Sequence, residues 1–311
     1  MRIVAGDLGG TKTLLRCVEA DGAVSAEERY ESGEYASFDE VLRAFISRCP
    51  GAIDAACFAV AGPVFGGRAD LTNLGWELHA DTLAKTFAIA HVVLINDFYA
   101  IALGVPQLSD DDLLSLQKGV RDRTGPIAIL GAGTGLGQAV VIPNASGWSV
   151  IASEGGHADF APQDEEQAKL MLQIIAEHGH ASWERVVSGM GLTTIHQYFT
   201  GAALEPEQIA SAAAAGDPGA AQTFAMFVDA YGAEAGNMAL RALAKGGVFL
   251  AGGIAAKNVA HFTDGAFVRA FSRKGRFREL MGTFPVDIIL NEKVGLMGAV
   301  AAAKASALAG R

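Results

Sequence analysis

Ile3-Val4-Ala5-Gly6-Asp7-Leu8-Gly9-Gly10-Thr11-Lys12-Thr13-Leu14-Leu15-Arg16-Cys17-Val18 stands at the head of a chain of 311 residues. Its two ends, Ile3 to Gly6 and Thr13 to Val18, are strand-like apolar runs around a glycine-rich turn that carries a Thr. Asp21-Gly22 turns the chain back into a third strand, Ala23 to Tyr30, because both residues tolerate positive φ. The plan recurs in mid-chain: Pro126 opens the strand Ile127 to Leu130, four glycines follow at 131, 133, 135 and 137, and Gln138 to Ile142 returns. Asp7-Leu8-Gly9-Gly10-Thr11 and Gly131-Ala132-Gly133-Thr134-Gly135 read as two versions of one hairpin. Phosphate can lie against backbone N–H groups where no side chain blocks the approach, and a Thr hydroxyl adds a donor. A tight hairpin is the plain structural alternative for either turn alone; their repetition favours phosphate. No Gly-Lys-Ser/Thr follows, so neither turn is a Walker A loop. Two related halves predict a cleft at their junction.

Between the hairpins, strands alternate with helices, which predicts a largely parallel sheet. Ser37-Phe38-Asp39-Glu40 has the form of a capping box. It precedes a helix whose apolar positions are Phe38, Val41, Leu42, Phe45 and Ile46. Ala55 to Ala61 reads as a buried strand, and a short helix near Asp81 to Ala88 leads to the strand His91 to Ile95. That strand stops at Asn96-Asp97, at its carboxyl end, where open α/β sheets bind ligands. Ser109 to Arg123 is acidic and loop-like. The rest is mostly helical: Asp164 to His178, with Leu170, Met171, Ile174 and Ile175 on one face and a stop at Gly179, and an Ala-rich stretch from Asp217 to Lys245, broken at Gly232 or Gly236. Val248 to Ile254 is a strand running into Gly252-Gly253. The helix from about Val294 is apolar all round and therefore expected to be buried. These features predict a small α/β domain of residues 1–108 plus a C-terminal helix of about 295–311, and a large α/β domain of residues 109–294.

Half of the residues are hydrophobic and Gly (38) far exceeds Pro (9), which suits an ordered α/β protein with tight turns. A formal charge of −10 argues against nucleic acid as partner, because such binding rests on Lys and Arg neutralising phosphates. A nucleotide is not excluded, since backbone N–H groups and Mg²⁺ can hold its phosphates. Cys17, Cys49 and Cys57 form no C-x-x-C pair and suit reduced, buried thiols in a cytoplasmic protein. No leader pattern precedes the first strand, and no apolar run is long enough to span a membrane.

Several polar residues could carry chemistry. Asp97 could take a proton from an attacking hydroxyl or merely cap the helix Phe98 to Leu103; spacing leaves both readings open. In Glu154-Gly155-Gly156-His157 the glycines let an acid and an imidazole point one way, a match to neighbouring sugar hydroxyls. A metal pair there lacks companions beyond Asp159, and an incidental Gly-rich loop is the structural alternative. Glu184 and Asn73 read by spacing alone as surface residues or caps. Asp7, at the end of a buried strand before a phosphate-type turn, could hold Mg²⁺ through water. Arg273-Lys274-Gly275-Arg276-Phe277-Arg278 is the one basic cluster and reads as a solvated helix face.

Taken in order, these segments resemble the bacterial glucokinase family in its branch without zinc. The motifs are Gly6-Asp7-Leu8-Gly9-Gly10-Thr11, Ala61-Gly62-Pro63, Thr72-Asn73, Ile95-Asn96-Asp97-Phe98, Gly131 to Gly137, Glu154-Gly155-Gly156-His157, Glu184-Arg185-Val186-Val187-Ser188-Gly189 and Ala251-Gly252-Gly253-Ile254. The resemblance runs nearly end to end. It implies an α/β fold of two RNase H-like, actin-like ATPase domains with a ligand cleft between them. It also implies transfer of the γ-phosphoryl group of ATP to the 6-hydroxyl of glucose, or a related hexose, as the first step of glycolysis. On that resemblance Asp97 is the base, and Asn73, Asn96, Glu154, His157 and Glu184 hold the other hydroxyls. Asp7 helps to place Mg²⁺; Gly9, Gly10 and Thr11, with Gly133, Thr134 and Gly135, bracket the phosphates; Gly252 and Gly253 lie against the adenosine. A cytoplasmic homodimer is implied as well. Lys12 stands where some family members carry Asn and receives no role. The zinc-containing sister family shares the Asp-x-Gly-Gly-Thr-Lys start, but this chain has no Cys after Cys57 and reads Ala158-Asp159-Phe160 after His157.

Two other classes of function compete with a kinase. A sugar-sensing regulator would need a DNA-reading helix-turn-helix, for which the segment before the first strand has no room. An actin- or chaperone-like ATPase would keep the phosphate turns but has no use for Asn96-Asp97 together with Glu154 and His157.

Overall fold

The computed structural model describes residues 1–49, 51–145 and 147–309. The chain divides into two compact units, Met1–Leu108 with Asn291–Arg311, and Ser109–Leu290. Of the C-terminal segment expected in the first unit, residues 310 and 311 lie outside the described residues.

In the first unit β1 (Ile3–Leu8), β2 (Lys12–Val18) and β3 (Val24–Glu31) form an antiparallel meander. Helix α1 (Phe38–Ile46) follows, then β4 (Ala55–Val60), the hairpin β5 (Arg68–Leu71) and β6 (Trp76–His79), α2 (Ala80–Phe87), β7 (His91–Asn96) and α3 (Asp97–Gly104). The strand order of the main sheet is β3-β2-β1-β4-β7, with β1, β4 and β7 parallel. The sheet is mixed rather than largely parallel, because the opening meander supplies as many antiparallel pairings as the crossovers supply parallel ones. β4 is buried at every position, as a strand covered on both faces must be. Helix α1 buries Phe38, Val41, Leu42 and Phe45, each worth roughly 1.5–3 kcal/mol relative to exposure. Its cap is a variant of the expected box: Glu40 N–H donates to Ser37 Oγ at 3.4 Å, while the Glu40 carboxylate accepts from Ala36 N–H.

The second unit repeats the scheme. It holds β8 (Leu113–Gln117), β9 (Ile127–Ala132), β10 (Leu136–Asn144), β11 (Gly147–Ser153), α4 (Glu165–His178), α5 (Gly189–Thr200), α6 (Pro206–Ala214), α7 (Pro218–Ala242) and β12 (Gly247–Ala251). The short α8 (Gly253–Lys257), α9 (Val259–Phe262), α10 (Ala266–Ser272) and α11 (Arg278–Met281) precede β13 (Val286–Ile289). The sheet order is β11-β10-β9-β12-β13-β8. β9, β10 and β11 make the meander, β12 and β13 add parallel strands, and β8 is an antiparallel edge. So Ser109 to Arg123 is not all loop: Leu113–Gln117 has too few apolar residues for a core strand but enough for an edge. Nor does α7 break at Gly232 or Gly236. A methyl group at either would collide with a carbonyl of α10, at Phe267 and Phe271; the glycines exist for close helix packing. On α4 the apolar face is narrower than expected, since Ile175 is 39% exposed.

The chain then returns to the first unit as α12 (Val294–Ala309). Leu296, Ala299, Val300, Ala303 and Ala307 join Ile3, Ala5, Ala55, Cys57 and Ala59 of β1 and β4 in one apolar cluster. Gly298 lies so close to α3 that a methyl group would collide with the Ala100 carbonyl.

Candidate active site

In the first unit the turn between β1 and β2 is braced from behind. Gly9 N–H donates to the Lys12 carbonyl (2.9 Å), and Ser32 N–H donates to the Thr11 carbonyl (2.9 Å). The fully buried Ser32 side chain donates to the Gly9 carbonyl (3.1 Å) and meets Thr13 Oγ1 at 3.0 Å. Ser32 escaped the sequence reading because nothing in its local pattern distinguishes it from a turn serine. Asn73 flanks the same turn: a methyl group on Gly10 would lie 3.7 Å from Asn73 Nδ2.

Asn96 and Asp97 divide the work that spacing left open. Asn96 is the N-cap of α3; its Oδ1 accepts from Phe98 N–H (2.9 Å) and Tyr99 N–H (3.1 Å), and its Nδ2 donates to the Gly62 carbonyl (3.1 Å). An amide nitrogen has two hydrogens; besides the bond to Gly62, the Asn96 side chain bonds the Asp97 carboxylate. Asp97 is therefore not the cap, although its Oδ1 also accepts from Phe98 N–H (2.7 Å). Burial pushes the Asp97 carboxyl above its ordinary range, against hydrogen bonds that pull it down. Asp7 is pushed up to about 6, first by burial and then by the negative charge of Asp97. Asp7 Oδ2 also faces the first turn of α12, where a methyl group on Gly295 would lie 3.3 Å away.

In the second unit the corresponding turn is held by α7. Tyr231, fully buried, accepts from Ala132 N–H (3.3 Å) and donates to the Leu130 carbonyl (3.2 Å), which fixes the end of β9. Gly133 N–H donates to the Gly135 carbonyl (2.9 Å), and Gly189 N–H, at the start of α5, donates to the Gly133 carbonyl (2.8 Å). The two glycines differ in what they permit. Gly133 has open space where a methyl group would sit, whereas one on Gly135 would collide with the Glu184 carboxylate. Gly135 thus makes room for an acid.

Glu184 ties this turn to the loop after β11. Its carboxylate accepts from Leu136 N–H (2.9 Å), and its own N–H donates to the Gly156 carbonyl (2.8 Å). His157 Nδ1 lies 3.8 Å from Glu184 Oε1, and His157 Nε2 lies 3.9 Å from Glu154 Oε2. Glu154, His157 and Glu184 therefore converge, with Glu154 almost wholly exposed and Glu184 mostly covered. Asp159 does not join them; it pairs with His180 (2.7 Å). No cluster of three or more metal-ligating side chains occurs among the described residues.

A cavity of about 810 Å³ opens beside the Gly133 turn. Gly133, Thr134 and Gly253 line it, together with Thr193 and Thr194 of α5 and Lys257 and Asn258 after β12. Gly252 is not among the lining residues; at φ +82° and packed against the Ala132 carbonyl, it serves the backbone path. The threonines of α5 and the pair Lys257-Asn258 were missed, since they sit in helices whose local pattern carries no ligand signal. The basic tract lies elsewhere and is only partly a solvated face. Lys274 is part-buried, donating to the Ala233 carbonyl and to Asn237 Oδ1, and burial lowers its amine to about 8. Arg273 is engaged by Asp229.

The profile of the Glucokinase family matches residues 4–306. The chain belongs to the glucokinase family. A glucokinase from Nostoc sp. is 42% identical over 96% of this chain and 97% of its own length. A crystal structure of glucokinase from an Antarctic psychrotroph superposes with a TM-score of 0.90 at 30% identity, covering 98% of this chain and 99% of that one. A ROK family glucokinase from Streptomyces griseus, in complex with glucose and AMPPNP, is 20% identical with a TM-score of 0.65, covering 98% of this chain and all of that one; it shows likeness of fold. The fold is that of sugar kinases of the actin-like ATPase type. Membership in the glucokinase family makes the chain an ATP-dependent kinase that phosphorylates glucose.

Proposed function

We propose that the enzyme passes the γ-phosphoryl group of ATP to the 6-hydroxyl of glucose, giving glucose 6-phosphate at the entry to glycolysis. One observation carries the assignment of residues. Glu184 binds the strand after the Gly133 turn and also reaches His157, so phosphate-type and hydroxyl-binding groups share one network. Glu154, His157 and Glu184 accept and donate to vicinal sugar hydroxyls, with Asn73 and Asn96 as further partners. Asp97 receives the proton of the 6-hydroxyl. Its raised pKa suits a base that must take a proton and later release it.

Adenosine occupies the cavity lined by Thr193, Thr194, Gly253 and Lys257, whose size lies in the usual range for ligand sites, about 300–1,000 Å³. Thr134 and Gly133 lie against the phosphates of that nucleotide, and Gly9, Gly10 and Thr11 supply the second turn. The negative charge of Asp97 acts on Asp7, and two neighbouring carboxylates suit a divalent cation. Asp7 would hold Mg²⁺ through water, since Mg²⁺ needs only one or two carboxylates beside the phosphates. The cation would neutralise phosphate charge as the phosphoryl group moves. Three buried, unpaired thiols support a reducing, cytoplasmic setting, and among the described residues no helix is long and apolar enough to cross a membrane. The family resemblance supports a homodimer.

A coupled assay with MgATP and glucose, mannose, fructose or glucosamine tests the reading. ADP release that depends on glucose is the expected result. Hydrolysis indifferent to sugar would overturn it.

A further inference from the structure

Gln138 of β10 is buried, with 2% of its surface exposed, and its amide is divided between two neighbours. Nε2 donates to Glu234 Oε1 at 3.0 Å. Glu234 is fully buried on α7 and also accepts from Asn237 Nδ2 (2.9 Å) and Arg241 (3.1 Å). A carboxylate only accepts, so the Gln138 amide cannot flip without setting its oxygen against the acid. Oε1 is thereby turned the other way, and there it has no hydrogen-bond partner. Buried acceptors of this kind are uncommon and call for a reason.

Gly155 faces it. A methyl group there would collide with Gln138 Oε1 and lie 3.0 Å from Ser153 Oγ. Two acceptors thus flank one glycine, whose own N–H donates to Ser153 Oγ at 3.0 Å. Ser153 is exposed and water can serve its oxygen; Gln138 Oε1 is enclosed. The N–H is engaged by the acceptor that needs it less. Rotating the Glu154–Gly155 peptide would carry it toward Gln138 Oε1 and reorient the exposed Glu154, releasing the bond that His157 N–H donates to the Glu154 carbonyl (3.0 Å). Gly156 stays fixed meanwhile, held close to the Leu136 carbonyl and accepting from Glu184 N–H.

We propose that Gln138 is a positioning residue for sugar binding: when glucose is seated on Glu154, His157 and Glu184, the Gly155 N–H leaves Ser153 Oγ for Gln138 Oε1, and Glu154 is drawn onto the sugar. This rests on the assignment of those three residues to the sugar. Glu234, with Arg241 and Asn237, holds the amide oxygen in wait.

Glucose titration of the full-length enzyme by calorimetry, with steady-state kinetics, tests it. Gln138→Met is expected to raise the glucose Kd and KM about tenfold, the loss of roughly one hydrogen bond or 1.4 kcal/mol, with kcat and the KM for ATP within about twofold. Ser153→Ala, at an exposed position that leaves the core untouched, is expected to act with the opposite sign and lower the glucose Kd about threefold, because it removes the competing bond. Weaker glucose binding in Ser153→Ala, or an unchanged Kd in Gln138→Met, overturns the proposal. Glu154→Gln separates the two levels: unchanged glucose affinity there removes the sugar assignment itself, whereas weakened affinity there with an unaffected Gln138→Met removes only the positioning role.

Discussion

On the proposed role of Asp97 as the base, two demands meet there: the side chain must be basic enough to accept a proton and yet ionised when substrate arrives. Burial raises its pKa, and the charge of Asp97 in turn helps to raise Asp7 to about 6. Replacing Asp97 by Asn keeps shape and removes the base. Turnover should fall roughly 10²- to 10⁴-fold while calorimetry still shows glucose binding; loss of binding as the main defect would contradict the role. The pH dependence has a definite sign. The folded-state pKa of Asp7, about 6, lies above the ordinary carboxylate range, so the folded protein holds that proton more tightly than the unfolded chain. The resulting stability is fully present below the unfolded pKa and is lost as pH rises through about 6. If Asp7 holds Mg²⁺ as proposed, activity runs the other way, because the cation needs the carboxylate ionised. Denaturant melts and initial rates between pH 5 and pH 7 should therefore move in opposite directions, and a parallel change would refute the coupling. The meeting of Glu154 and His157 was legible in sequence, from the two glycines between them. Gln138, Glu234 and Tyr231 were not, since their importance comes from partners about 100 positions away, at β10–α7 and β9–α7 contacts that no local pattern announces.

Among the elements, the glycines show how one residue type serves unlike purposes. Gly133 leaves open space, Gly135 admits a carboxylate, and Gly298 lets α12 touch α3. In sequence all three are simply glycines, and the first two were read together as phosphate contacts. The difference lies in what packs against them, which is a property of the fold. Gly298→Ala forces a methyl group into the Ala100 carbonyl; overpacking typically costs about 1–3 kcal/mol. A thermal melt should show a clear loss of stability, and an unaltered melting temperature would mean that α12 can shift freely. The strands and helices named from periodicity otherwise form, but β5, β6, β11, α5 and α6 received no reading of their own. β8 was lost because an edge strand needs little apolar pattern, and α7 was split because glycine inside a helix signals a break unless a neighbour demands the space.

For the molecule as a whole, the apolar clusters sort by unit. One cluster holds Trp183 and Tyr231 in the second unit; the other two hold all three cysteines in the first. Each unit thus has its own interior, and each has its own reporter. With Trp76 and Trp148 replaced by Phe, Trp183 fluorescence follows the second unit, while thiol labelling follows Cys17, Cys49 and Cys57. In urea the two signals are expected to change at different midpoints; coincident transitions would show a single cooperative unit. The return of α12 to the first unit has a further meaning for a chain made from one end. Residues 109–290 leave the ribosome complete and can settle while the earlier-made unit still lacks its last helix. Until Leu296, Ala299 and Ala303 emerge, the faces of β1 and β4 that they cover stay bare. The portion translated first is finished last, and its open sheet is the surface a nascent-chain chaperone would meet.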